Sequence, residues 1–127
     1  MNRTILVVDD EKSIRDLMSE AFRGAGYDVL SAASGEEALE VVRRHHVQVM
    51  FLDLKLPGMN GVELCRRIRK ETPLACLYAM TGYISLFELA ACREAGFDDY
   101  FTKPVKLQAL FKAAEQAFDK MRRWKNY

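Results

Sequence analysis

Two apolar patterns alternate along the chain. Thr4-Ile5-Leu6-Val7-Val8 is a short run of β-branched and aliphatic residues, which predicts a strand buried on both faces. Ile14, Leu17, Met18, Ala21 and Phe22 then recur at i, i+3, i+4, i+7 and i+8, which predicts a helix with one buried stripe. Gly24 and Gly26 predict its end, because glycine takes the left-handed conformation of a helix C-terminus without steric cost.

The alternation repeats. Tyr27-Asp28-Val29-Leu30 predicts a second strand, and Ser34 with Glu37 a capping box that opens a helix through Val41 and Val42. Val47 to Leu52 predicts a third strand ending in Asp53, with Pro57, Gly58 and Gly61 punctuating the loop after it. Asn60 and Glu63 cap a third helix with Leu64, Cys65 and Ile68 facing inward. Leu74 to Met80 predicts a fourth strand ending at Thr81-Gly82, and Ser85 with Glu88 caps a fourth helix that stops at Gly96. Asp99-Tyr100-Phe101-Thr102 predicts a short fifth strand before Lys103-Pro104. The fifth helix carries the stripe Leu107, Leu110, Phe111, Ala114, Phe118 and Met121 and runs to about Arg123. Five βα units imply an α/β fold, a parallel sheet covered on both faces, because parallel neighbours need crossover connections.

Composition bounds this picture. The 127 residues suffice for one core, so residues 1–127 are expected to form one domain, with no internal repeat or linker. A hydrophobic share of 50% with 29% charged residues predicts a folded globule. The formal net charge of +1 gives no electrostatic reason to expect direct nucleic-acid binding. The basic residues among 120–127 read as a solvated helix end, where cations favour the dipole. No apolar run approaches the ~20 residues that span a bilayer, and the early run is too short for a secretory signal. No membrane partner and a cytoplasmic location are therefore expected. Cys65, Cys76 and Cys92 are odd in number without CxxC spacing, which predicts free, buried or half-buried thiols in a reducing compartment.

Ligands of open parallel α/β sheets bind beyond the carboxyl ends of the strands. The residues expected there are Asp9 and Asp10 after the first strand, Asp53 after the third, Thr81 after the fourth and Lys103 after the fifth. Three carboxylates close together repel unless a cation joins them. An all-oxygen set of this kind suits Mg²⁺, which binds through one or two carboxylates plus a phosphate. Lys103 supplies a point charge for a phosphoryl oxygen and Thr81 one O–H donor. Phosphoryl transfer needs little beyond positioning and charge neutralisation, so Asp53 can act as a carboxylate nucleophile. Taken singly, each motif is ordinary turn or helix-start chemistry. Their joint occurrence at four strand ends carries the inference.

Over nearly its whole length the chain resembles the response-regulator receiver family of bacterial two-component systems. The resemblance rests on Val7-Val8-Asp9-Asp10-Glu11, on Asp53-Leu54-Lys55-Leu56-Pro57-Gly58-Met59-Asn60-Gly61, on Thr81-Gly82, and on Ala95-Gly96-Phe97-Asp98-Asp99-Tyr100 running into Lys103-Pro104. It implies a flavodoxin-like, doubly wound five-stranded sheet in the order 2-1-3-4-5. It implies that Asp53 is the phosphorylated residue, and that Asp10, Asp53 and the Lys55 carbonyl ligate Mg²⁺. Asp9 would hold a metal-bound water, Thr81 and Lys103 would grip the phosphoryl group, and Tyr100 would be the switch aromatic. The Lys103–Pro104 peptide is expected to be cis. The implied partners are a sensor histidine kinase or phosphotransfer protein upstream, and an output protein or a second copy bound through helix four, strand five and helix five. The protein would be a phosphoacceptor switch that catalyses only its own phosphorylation and dephosphorylation.

Two departures stand out. Phe97 occupies a position where the family usually has a small residue. Lys55 and Tyr83 are bulky at the two variable positions that tune phosphoryl lifetime in the family, which predicts slow self-dephosphorylation. Rival readings fare worse. A flavin phosphate would meet Asp9-Asp10-Glu11 where flavodoxins have a neutral loop. A haloacid-dehalogenase-type phosphatase needs a second Asp where Lys55 stands. GxGxxG and GxxxxGK[ST] are absent. A receiver-like module that no longer accepts phosphate is the remaining alternative, and it conflicts with a complete acidic site.

Overall fold

The computed structural model describes residues 3–125. Strands and helices alternate: β1 (Thr4–Val8), α1 (Lys12–Gly24), β2 (Asp28–Ala32), α2 (Gly35–Arg44), β3 (Val49–Asp53), α3 (Gly61–Glu71), β4 (Cys76–Thr81), α4 (Leu86–Ala95), β5 (Asp99–Thr102) and α5 (Leu107–Lys125). All sheet neighbours are parallel, in the order β2-β1-β3-β4-β5. This is the expected flavodoxin-like arrangement. The strand order reverses between β1 and β3, which opens a crevice at their carboxyl ends.

Side-chain alternation in β1 divides the core. Ile5 and Val7 face Phe22 of α1 and Leu110, Ala114 and Phe118 of α5. Leu6 and Val8 face Ala38 and Leu39 of α2 and Leu64 and Ile68 of α3. Because successive strand residues point to opposite faces, one unbroken apolar run serves both layers. β1, β3 and β4 are buried throughout, whereas the edge strands β2 and β5 are only partly covered.

The caps form as expected. Ser34 Oγ accepts from Glu37 N at 3.2 Å, Asn60 Oδ1 from Glu63 N at 2.9 Å, and Ser85 Oγ from Glu88 N at 3.1 Å. Gly96 ends α4 with φ of 106°, and Gly26 turns the chain after α1 with φ of 95°. Gly24 is instead the last residue of α1. All three cysteines are free and buried.

Several sequence expectations are corrected in detail. Leu17 is 56% exposed, and Ser19 is buried beside Met18 and Phe22 instead. Packing of α1 is centred on the Met18–Phe22 row, which rotates Leu17 onto the flank. Strand limits follow the partner's ladder rather than the apolar run. β2 starts at Asp28, opposite Thr4, and reaches Ala32, opposite Val8. β3 starts at Val49 rather than Val47, and β4 covers Cys76–Thr81, leaving Leu74 outside and 87% exposed. α5 extends to Lys125 rather than Arg123. The end of the basic run, 126–127, lies outside the described residues. Phe97 is accommodated half-buried against Val62, Cys92 and Ala95.

Candidate functional site

Backbone hydrogen bonds continue past the strand ends and fix the residues that follow them. Asp9 N donates to Ala32 O at 3.2 Å, Leu54 N to Met80 O at 3.0 Å, and Lys103 N to Thr81 O at 2.7 Å. Asp9, Asp53 and Lys103 are therefore held at one rim by the sheet, with Lys103 followed by a cis peptide to Pro104.

The side chains converge as the sequence predicts. Lys103 Nζ lies 2.9 Å from Asp9 Oδ2 and 3.4 Å from Asp53 Oδ2. Asp9, Asp10 and Asp53 each offer an oxygen within 4.8 Å of the others. Asp9 and Asp53 are buried at 0% and 4% exposure, while Asp10 is exposed at the mouth. Asp9 Oδ1 accepts from Glu11 N at 2.9 Å, and Asp53 Oδ1 accepts from Lys55 N at 3.2 Å. The Lys55 side chain is exposed.

The electrostatics are those of a site short of positive charge. Burial pushes the Asp53 carboxyl above its ordinary range; the Lys55 N–H opposes this, the Asp9 charge adds to it, and Lys103 opposes it. Burial alone would lower Lys103, but its hydrogen bond to Asp9 and the charges of Asp53 and Asp9 outweigh that and raise it. One ammonium is thus shared by two buried carboxylates. An oxygen-liganded divalent cation fits this donor set.

Thr81 is at the rim but occupied locally. Its hydroxyl donates to Tyr83 O at 2.7 Å and accepts from Tyr83 N at 3.3 Å. Tyr83 is 69% exposed, and Tyr100, opposite Ala79 in the β4–β5 ladder, is 38% exposed.

Comparison with known proteins places this geometry. The model of the response regulator receiver domain matches residues 5–115. The chain belongs to the response regulator receiver family. Its sequence is 38% identical over 124 residues to the alkaline phosphatase synthesis transcriptional regulatory protein PhoP of Bacillus subtilis, covering 92% of this chain and 52% of that protein. It is 34% identical over 116 residues to sporulation initiation phosphotransferase F of the same organism, covering 91% of this chain and 94% of that protein. A CheY-like receiver domain protein from Methanospirillum hungatei superimposes with a TM-score of 0.93 at 31% identity, over 97% of this chain and 98% of that one. The chain spans about half the length of PhoP and of the probable transcriptional regulator ycf27 of Porphyridium aerugineum. As a receiver domain of two-component response regulators, it is a signalling domain.

Sequence reasoning assigned no positioning role to three further residues. Arg15 Nη1 donates to Asp9 O at 2.7 Å, reaching back from α1 to the loop that carries two of the acids. Glu36 Oε1 accepts from Met59 N at 3.4 Å, tying α2 to the β3–α3 loop. Gly61 lies so close to Asp53 that a Cβ would come within 2.3 Å of its carbonyl oxygen. Only the glycine left a signal, as loop punctuation.

Proposed function

We propose that this protein is a switch phosphorylated on Asp53 in a Mg²⁺-dependent reaction. The observation that carries the reading is Lys103 Nζ between the buried Asp9 and Asp53, with Asp10 completing an oxygen cluster within 4.8 Å. Asp10, Asp53 and the Lys55 carbonyl would ligate the metal, and Asp9 would hold one of its waters. Mg²⁺ bound there would neutralise the carboxylates and the incoming phosphoryl oxygens.

The chain's own groups do the rest. An Asp53 carboxylate oxygen forms the new O–P bond as the donor's P–N bond to histidine breaks, and the leaving imidazole takes up a proton. Lys103 remains protonated and turns from the carboxylates to a phosphoryl oxygen. Thr81 trades its bond to Tyr83 for a second phosphoryl oxygen, which frees room for Tyr100 to turn inward. Self-dephosphorylation reverses the acyl phosphate with water as acceptor, and this self-directed chemistry is the chain's only catalysis.

The phosphoryl donor is a sensor histidine kinase or a phosphotransfer protein. The output surface is α4–β5–α5, which carries exposed Leu86, Phe87 and Tyr100, with exposed Tyr83 in the loop before α4. Apolar exposure of this kind marks a protein-binding face, taken by an output protein or a second copy rather than by nucleic acid. We place residues 1–127 as one receiver domain acting in the cytoplasm. Free, buried thiols fit that compartment, and no helix among the described residues is long and apolar enough to cross a membrane.

The test is intact-mass analysis after incubation with Mg²⁺ and acetyl phosphate. Wild type should gain one acid-labile phosphoryl group, and Asp53→Asn should not gain it at that position. Absence of label on wild type would refute the signalling reading.

A further inference from the structure

The loop from β1 into α1 carries two of the three acids. Asp9 is held there at each polar group by a different partner. Its N donates to Ala32 O at 3.2 Å and its Oδ1 accepts from Glu11 N at 2.9 Å. Its Oδ2 accepts from Lys103 Nζ at 2.9 Å and its O from Arg15 Nη1 at 2.7 Å. Asp10 is different. It is exposed, and among the described residues no hydrogen bond or ion pair of its own orients its carboxylate. The direction of the Asp10 side chain therefore follows from its backbone. Asp9 O and Asp10 N belong to one planar peptide unit, so a bond that fixes the carbonyl also fixes the plane from which Asp10 departs.

Two observations single out Arg15 for this task. It is half-buried behind an acidic loop, yet among the described residues it forms no ion pair and donates instead to a neutral carbonyl. The adjacent acid, Asp16, is bonded by Lys12 at 2.7 Å. Secondly, Arg15 is the fourth residue of α1, whose first turn contains no acid, whereas α2, α3 and α4 each place Glu in theirs. A cation at a helix start opposes the dipole, and local rules are broken in this way where a functional site gains by it. The reach comes from helix geometry. Helical side chains tilt toward the N-terminus, so Arg15 leans back over the loop that precedes α1.

We infer that Arg15 is a positioning residue for divalent-cation binding, its guanidinium holding the Asp9–Asp10 peptide in the plane that keeps the Asp10 carboxylate beside Asp9 and Asp53. The inference rests on the Mg²⁺ site proposed above. Charge alone predicts the opposite sign. A guanidinium near the site repels a divalent cation, so neutral replacement would tighten binding, whereas loss of the clamp loosens it.

The experiment is a Mg²⁺ titration of the full chain followed by ¹⁵N NMR at Asp10, Asp53 and Lys55. Arg15→Met keeps an unbranched stem but loses the donor and the charge. It should bind Mg²⁺ about tenfold more weakly than wild type, the scale for losing a partner behind a metal ligand. Excess Mg²⁺ should restore its labelling by acetyl phosphate. Lys12→Met removes the neighbouring cation, which bonds Asp16 rather than the loop, and should bind Mg²⁺ no more weakly than wild type. Unchanged or tighter binding by Arg15→Met, labelling that excess Mg²⁺ does not restore, or equal weakening by Lys12→Met would each overturn the assignment. Wild type that bound no Mg²⁺ would refute the proposed metal site, and this inference with it. The coupling is reciprocal, so Mg²⁺ should also slow rotation of the Arg15 guanidinium in wild type, read from exchange between its two Nη resonances. That measurement serves if Arg15→Met does not fold, and rotation left unchanged or made faster by Mg²⁺ would refute the role of Arg15.

Discussion

Gly61→Ala tests how tightly the fold holds its acceptor residue. Gly61 opens α3 directly under the end of β3, and its N–H donates to Leu54 O at 3.0 Å. An added Cβ would lie 2.3 Å from Asp53 O, 2.7 Å from Leu54 Cα and 3.0 Å from Asp53 C. Every atom struck is backbone, so none can swing aside as a side chain would. Restoring ordinary contact requires a shift of about 1 Å between α3 and the Asp53–Leu54 peptide. Overpacking costs about 1–3 kcal/mol, and rigid obstacles put this case at the upper end. The helix preference of alanine over glycine returns up to ~1 kcal/mol, which leaves a loss of about 2 kcal/mol. The same displacement moves the Asp53 carboxylate relative to Lys103, and misplacement by about 1 Å can slow a reaction about 100-fold. Urea denaturation followed by circular dichroism measures the first effect, and the initial rate of labelling by acetyl phosphate the second. Gly82→Ala is the control. It follows the site residue Thr81, but its Cβ would meet nothing within 4 Å, so stability should change by under about 1 kcal/mol. If Gly61→Ala matches wild type in both midpoint and rate, or Gly82→Ala loses as much, the close-approach reasoning is wrong.

Other outcomes follow from the site. The folded state raises the Asp53 pKa through burial and the Asp9 charge, so folding binds its proton more tightly than the unfolded chain does. Stability is then lost as pH rises from the ordinary Asp range through the raised value. Asp53→Asn should therefore be more stable than wild type at pH 7 without divalent cations, by on the order of 1 kcal/mol. That gain should vanish below the ordinary Asp pKa, and a gain independent of pH would contradict the cause given. Asp10→Ala should abolish most Mg²⁺ binding and slow labelling, and an unchanged Mg²⁺ titration would remove Asp10 from the site. Thr81→Ala loses both bonds to Tyr83; it should still accept phosphate, but with smaller NMR shifts at Tyr100 and α5 than wild type. Lys55→Asn and Tyr83→Ala should each speed phosphoryl decay once the donor is removed. Both side chains are solvent-exposed before phosphorylation, so unchanged decay in both would eliminate shielding.

The order and type of elements were legible from sequence because each burial geometry imposes its own period. Strands covered on both faces must be apolar at every position, as in β1, β3 and β4. Caps at Ser34, Asn60 and Ser85 were legible because they act within four residues. The acid and lysine cluster was legible because a parallel sheet brings every strand's carboxyl end to one rim, whatever lies between. What required the tertiary structure is everything set by another segment. Strand limits depend on the partner ladder, so Leu74 could read as strand and fall outside it. The exposure of Leu17 depends on how α1 rolls against the sheet. The hold of Arg15 on the Asp9 loop and the approach of Gly61 to Asp53 depend on distances between elements that no local pattern encodes. Local sequence determines which faces must be buried, and only packing decides which atoms then touch.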